Sequence, residues 1–218
     1  LVGCGKSEIG RACFGIEPIE RGEVKFLGET LDQLDPNSNL KRGLSYVPPD
    51  RRREGLLLDR PTRENISLAS LDLATMSTKA VLHRSSERVI THNLAERMRV
   101  TPLAIEKDAN TYSGGNQQKI LLSKYIARKN KVFILDEPTI GVDVGAKAEV
   151  YEFLASLAAE GVAGVAPVGL FEGNLRHLRC HNASGAFLCV GELFRFDDVR
   201  QGDEAVAEEN LAGPFGIR

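Results

Sequence analysis

The sequence has no run of apolar residues near the roughly 20 that a membrane-spanning helix needs, and no charged leader ahead of an apolar core at its N-terminus. Any contact with a membrane is therefore expected to run through another protein. It also has no surplus of positive charge: 28 Lys and Arg against 30 Asp and Glu leave a formal net charge of -2. That balance provides no basic footprint for nucleic acid. Cysteine is sparse, with Cys4, Cys13, Cys180 and Cys189 forming no CxxC pair. Four are too few for a disulfide framework in a chain of 218 residues, and a reducing cytosol is the expected setting. An initiating methionine is missing as well, so we expect a fragment or a processed product. With 42% hydrophobic and 27% charged residues, there is enough material for one substantial globular domain.

The most organised stretch is Lys131 to Asp143, KVFILDEPTIGVD. Val132, Phe133, Ile134 and Leu135 read as a strand buried on both faces of a parallel sheet. Asp136 and Glu137 follow at the edge where open α/β sheets place ligands. Two adjacent carboxylates there suit a hydrated Mg2+ with nucleotide phosphates, although a lone strand of this kind can simply stop at a polar turn. At the N-terminus, LVGCGKS supplies Gly5, Lys6 and Ser7, the end of a phosphate-binding loop of the form GxxxxGK[ST], with Gly3 as a further turn glycine. The helix expected directly afterwards would offer its positive end to an anion. The opening glycine and the strand leading into the loop would precede Leu1. Midway, Ser113, Gly114 and Gly115 come directly before another helix and form a second candidate cluster of backbone N–H groups.

Between these motifs, Gly22 to Gly28 alternates like a half-exposed strand. Asp35-Pro36-Asn37 opens a short helix that stops at Gly43, and Leu44 to Val47 forms a strand ended by Pro48-Pro49. The run Asp50 to Gly55, with Arg51, Arg52 and Arg53, reads as a solvated loop. From Pro61 to about Gly115 a helical subdomain is expected. It has a start signal at Thr62-Arg63-Glu64-Asn65 and a helix capped by Ser77 that reaches about Val100, packing through Leu82, Ile90, Leu94 and Met98. His83 and His92 have no partner carboxylates or cysteines and read as surface or packing residues.

Taken together, GKS, SGGNQQK and FILDEPTIGVDVGAK resemble the nucleotide-binding domain of an ATP-binding cassette protein, a P-loop NTPase. The NQQK extension, the stretch Tyr46 to Leu56 and Arg63-Glu64-Asn65 are similar to the second cassette of bacterial monosaccharide importers of the ribose, galactose or xylose type. The resemblance covers about residues 1 to 160. It implies an α/β fold with a mostly parallel central sheet, a small antiparallel patch and a helical signature subdomain. It also implies a site divided between two cassettes. Gly3, Cys4, Gly5, Lys6, Ser7 and Glu8 would hold ATP, and Ser7 and Asp136 would hold Mg2+. Glu137 would be the general base. Ser113, Gly114, Gly115, Asn116 and Gln117 would face the ATP of the opposite cassette, and Asp143 would couple the two sites. Pro49 and Asp50 occupy the place of the glutamine that usually links nucleotide to the transporter, and the aromatic residue that stacks on adenine would precede Leu1.

The implied function is an ATPase subunit energising a sugar importer, cytoplasmic and peripheral on the inner face of the bacterial membrane. Its partners would be a second cassette, in the same full-length chain or in a homodimer, membrane permease subunits and indirectly a sugar-binding protein, with no nucleic acid. A dimerising cassette with little hydrolysis, or a soluble cassette protein outside transport, are the alternatives. The family pattern is lost at about residues 161 to 190, where Gly164 and Pro167 fall in an expected strand and the only acidic residue is Glu172. This segment reads as a frame-shift or a true divergence, the last central strand is expected to form poorly, and an acidic tail follows at 191 to 218. A metal site from His177, Cys180, His181 and Cys189 fits no standard zinc spacing.

Overall fold

A computed structural model describes residues 6–19, 24–26, 29–32, 34–160, 163–165, 179–181 and 187–189. Helix α1 (Lys6–Phe14) is followed by a two-stranded antiparallel patch, β1 (Lys25–Phe26) with β2 (Glu29–Thr30). Helix α2 (Pro36–Arg42) starts where the Asp35 carboxylate accepts from the Ser38 N–H at 2.8 Å, has Pro36 in its first turn, and ends at Gly43 with φ 95°, as the turn and glycine signals predict. Strand β3 (Leu44–Val47) leads through a π-helical turn, Arg51–Gly55, into helix α3 (Thr62–Ser67).

A hairpin comes next, β4 (Ser77–Thr78) with β5 (Val81–Leu82), and then helix α4 (Arg84–Arg97). This corrects the expectation that Ser77 caps the helix. Lys79 and Ala80 have φ of 48° and 63°, the positive pair that a tight hairpin turn of type I′ requires. The Ser77 hydroxyl instead donates to the Leu71 carbonyl at 2.5 Å. Helix α5 (Gly114–Ile126), strand β6 (Val132–Leu135), helix α6 (Val144–Ala159) and strands β7 (Ala163–Val165), β8 (Arg179–His181) and β9 (Phe187–Cys189) complete the described chain.

The main sheet has the order β3-β6-β7-β8-β9. Its β3–β6 and β6–β7 pairs are parallel, whereas β8 and β9 are joined antiparallel, so the parallel character belongs to the first three strands. The strand expected to form poorly is present over three residues, with Gly164 opposite Phe133. Pro167, His177 and the acidic tail lie outside the described residues.

The side-chain alternation of β3 and β6 separates two cores. Val47, Phe133 and Leu135 face a cluster with Ile66, Ile120, Leu121 and Val150, while Leu44, Tyr46, Val132 and Ile134 face Cys13, Phe14, Val24 and Phe26. All four β6 residues are buried, as expected of a strand covered on both faces. Helix α1 lies close on the sheet: a Cβ at Gly10 would come within 3.3 Å of both Ile134 and Tyr46. This close approach sets the start of α1 beside the edge where β6 ends.

Helices α3 and α4 are pinned together by a buried ionic cluster. Glu87 is fully buried, and its carboxylate accepts from Arg63 Nη1 at 2.6 Å and from the Ser67 hydroxyl at 2.7 Å. A buried carboxylate needs such partners, so the buried face of α4, with Glu87, Thr91 and Ala95, holds a polar anchor.

Candidate functional site

The two carboxylates at the end of β6 have opposite surroundings. Asp136 is 1% exposed. It continues the alternation of Val132 and Ile134, on the sheet face that packs against α1. Tyr46 pairs with Ile134 in the parallel register, and its hydroxyl donates to Asp136 Oδ2 at 2.7 Å. Burial, and then the hydrogen bond to Asp136, raise the Tyr46 phenol far above its ordinary value, so it remains a donor. Glu137 is exposed and has φ 44°, an uncommon conformation for a residue with a side chain. The turn is closed by the Ile140 N–H donating to the Glu137 carbonyl at 3.0 Å.

Beyond this turn, the segment is held from the side of β3. Arg51, in the π-helical turn, donates from Nη1 to the Ile140 carbonyl at 2.9 Å and from Nη2 to the Gly141 carbonyl at 3.2 Å. This corrects the reading of residues 50 to 55 as a solvated loop: Arg52 and Arg53 are exposed, but Arg51 is half-buried, and desolvation lowers its pKa. Asp50 caps the turn, accepting from the N–H groups of Arg52 and Arg53 at 3.0 and 3.1 Å. Mid-chain π-helical turns are rare and concentrate at functional sites.

The glycines of SGGNQQK occupy the first turn of α5 rather than preceding it, with Ser113 as the cap. Their lack of side chains is used twice. A Cβ at Gly114 would lie 2.8 Å from Arg51 Nη2, and one at Gly115 would lie 2.7 Å from Ala146 Cβ and 3.5 Å from Asp143 Oδ2. Asp143 is exposed and caps α6, with Oδ1 accepting from the Ala146 N–H at 2.9 Å. The structure thus brings Gly114 close to Arg51 and Gly115 close to Asp143.

Asn116 and Gln117 have internal partners. Asn116 Oδ1 accepts from the Thr101 N–H at 2.9 Å, and Gln117, 5% exposed, donates to the Ala109 and Tyr112 carbonyls, both at 3.2 Å. Ser7 and Glu8 fall in the first turn of α1, and Lys6 begins it, while Gly3, Cys4 and Gly5 lie outside the described residues. Cys180 and His181 fall in β8 and Cys189 in β9. Two residues central to this geometry, Tyr46 and Arg51, have no motif that marks them as site residues. The available signals are that both lie in the stretch Tyr46 to Leu56, which carries the family resemblance, and that each sits within a few positions of the end of a buried strand.

A buried parallel β strand that ends in two carboxylates, with helices packed on both of its faces, defines an α/β fold. The sequence profile of the ABC transporter family matches residues 2–140. The chain belongs to that family. It is 42% identical over 162 residues to the ribose import ATP-binding protein RbsA 1 of Agrobacterium fabrum, covering 74% of this chain and 31% of that protein. It is 40% identical over 163 residues to the ribose import ATP-binding protein RbsA of a Jannaschia species, covering 75% and 31%. The chain therefore spans about a third of the length of the curated relatives it matches.

Among solved structures, it is similar to an ATP-binding cassette of an ABC transporter with a TM-score of 0.61 at 16% identity, covering 75% of this chain and 72% of that one. It is also similar to a dimeric post-hydrolysis cassette bound to ADP and Pi, with a TM-score of 0.57 at 16% identity and coverage of 75% and 76%. At such identities the likeness establishes the fold. No described helix is long and apolar enough to cross a membrane.

Proposed function

We propose that this chain is the ATP-binding and ATP-hydrolysing cassette of a bacterial sugar importer. The observation that supports this most directly is the pairing at the end of β6 of a buried, hydrogen-bonded Asp136 with an exposed Glu137. The first suits a fixed metal-binding group and the second a group that meets water. The donor set is made of hard oxygens, the hydroxyl of Ser7 and the carboxylate of Asp136, which fits Mg2+. Gly3, Gly5, Lys6 and Ser7 would cradle the phosphates at the start of α1, with Cys4 and Glu8 beside them. Mg2+, when bound there, supplies neutralisation of the charge that builds up on the phosphate oxygens.

Glu137 would orient the attacking water and accept its proton. Ser113, Gly114 and Gly115 would present the opening N–H groups of α5 to the nucleotide held by a second cassette, with Asp143 at the same surface. Asn116 and Gln117 would support that turn through their internal hydrogen bonds. Pro49 and Asp50 would shape the turn that faces the permease. The partners would be a second cassette, permease subunits at the inner face of the membrane, and indirectly a sugar-binding protein.

The test is steady-state ATP hydrolysis by wild type and Glu137→Gln, with ATP binding measured in parallel. The expected outcome is a loss of about 100-fold or more in turnover with binding retained. Equal rates would remove Glu137 from the mechanism. Binding without measurable turnover in wild type would favour a nucleotide-responsive module instead.

A further inference from the structure

We propose that Tyr46 is a positioning residue for Mg2+ binding, fixing the Asp136 carboxylate in the orientation that receives the metal through water. This rests on the reading of Asp136 as a metal-holding group.

The observations are geometric. Parallel strands place Tyr46 opposite Ile134, one alternation before Asp136 on the same face. The tyrosine ring spans that interval and donates to Oδ2 at 2.7 Å. The ring itself is held firmly. Tyr46 is 3% exposed, stacks on Phe14 with ring centroids 6.0 Å apart, and lies against Gly10, where a methyl would come within 3.3 Å of it. The hydroxyl is thus fixed by α1 and β3 together, the two elements that border the phosphate end of the site.

A carboxylate with one oxygen tied to a rigid donor cannot swing freely about its χ angles, and its remaining lone pairs point in a defined direction. Groups that hydrogen-bond to metal-binding side chains act in this way, and removing them weakens metal affinity by about 10- to 100-fold. Phenylalanine in place of Tyr46 would keep the ring packing and delete only the donor.

The experiment is equilibrium dialysis of radiolabelled ATP against the full chain at increasing Mg2+, for wild type, Tyr46→Phe and Asp136→Asn, with thermal melting of each protein in the absence of nucleotide. The expected result for Tyr46→Phe is a half-saturating Mg2+ concentration about 10-fold higher, with ATP binding in EDTA within about 2-fold of wild type. Asp136→Asn should raise the Mg2+ requirement at least as much. If Asp136→Asn shifts it and Tyr46→Phe leaves it unchanged or lowers it, the role of Tyr46 is overturned while the site reading stands. If Asp136→Asn itself has no effect, the reading beneath it fails. A lower melting temperature for Tyr46→Phe with a wild-type Mg2+ requirement would make the hydrogen bond structural only and would also overturn the proposal.

Discussion

Gly115→Ala tests how tightly the signature helix is pressed against the segment containing Asp143. The added methyl would sit 2.7 Å from Ala146 Cβ, whereas carbon atoms in favourable contact lie about 3.5 to 4.0 Å apart. Relieving that overlap means moving the first turn of α5 away from the first turn of α6 by about 1 Å, and overpacking of this kind costs about 1 to 3 kcal/mol. Alanine returns about 1 kcal/mol by restricting the unfolded chain, leaving a net loss of up to about 2 kcal/mol. Urea denaturation measures this directly, with the midpoint falling at unchanged slope. Ala146→Gly removes the opposing methyl, so the double variant should recover part of the loss. Its stability should exceed the sum of the single effects by about 1 kcal/mol, the signature of residues in contact. A Gly115→Ala protein more stable than wild type, or strict additivity in the double variant, would refute the reasoning.

Two further outcomes follow from the ionisable groups. Cys13 is 2% exposed, and burial pushes its thiol up to about 12, so at pH 8 only roughly one molecule in ten thousand has the reactive thiolate. Peptide mapping after treatment with a thiol reagent should find Cys13 unmodified until the protein unfolds, and labelling of folded protein at the rate of a free thiol would contradict this. The Asp72 carboxyl is held below its ordinary value, first by its hydrogen bond with Arg128, whose Nη2 donates to Oδ2 at 2.9 Å. A depressed carboxyl stabilises the fold above its unfolded pKa and loses that contribution as pH falls through the folded value. Asp72→Asn should therefore show a shallower loss of stability than wild type below about pH 4, and superimposable pH profiles would exclude the pair as a source of acid sensitivity.

Local signals marked much of the scaffold. Four consecutive apolar residues ending in Asp136 and Glu137 identified β6 and its edge, and Asp35, Pro36 and Gly43 bracketed α2 because capping chemistry acts within a few residues. The hairpin at Ser77 to Leu82 was missed for a physical reason. Lys79 and Ala80 adopt positive φ without the Asn or Gly that normally signals it, so residues of high helix propensity read as the start of α4. Side-chain partners across the sheet were still less accessible. Tyr46 and Asp136 are separated by 90 positions, as are Arg51 and Gly141, and no periodicity connects groups that meet only through the register of β3 with β6. Arg51 also lies among exposed charges, where only the fold singles out the one arginine that turns inward.

The same register explains how one short segment comes to be held from several sides. Residues 136 to 143 are fastened at three points by three different elements: Asp136 by Tyr46 of β3, the Ile140 and Gly141 carbonyls by Arg51 of the π-helical turn, and Asp143 by its cap on α6 where Gly115 of α5 packs. Glu137 lies between the first two anchors, with its side chain exposed. Its positive φ, an arrangement costing on the order of 1 kcal/mol, persists because the anchors on either side fix the path of the chain. Under the proposed function, a carboxylate held in place by its backbone would present its lone pairs to water. The fasteners, Tyr46 and Arg51, both belong to the segment running from β3 into the π-helical turn. A displacement of that segment would therefore reach Asp136 at one end and, through Gly141, the surface around Gly114 and Asp143 at the other.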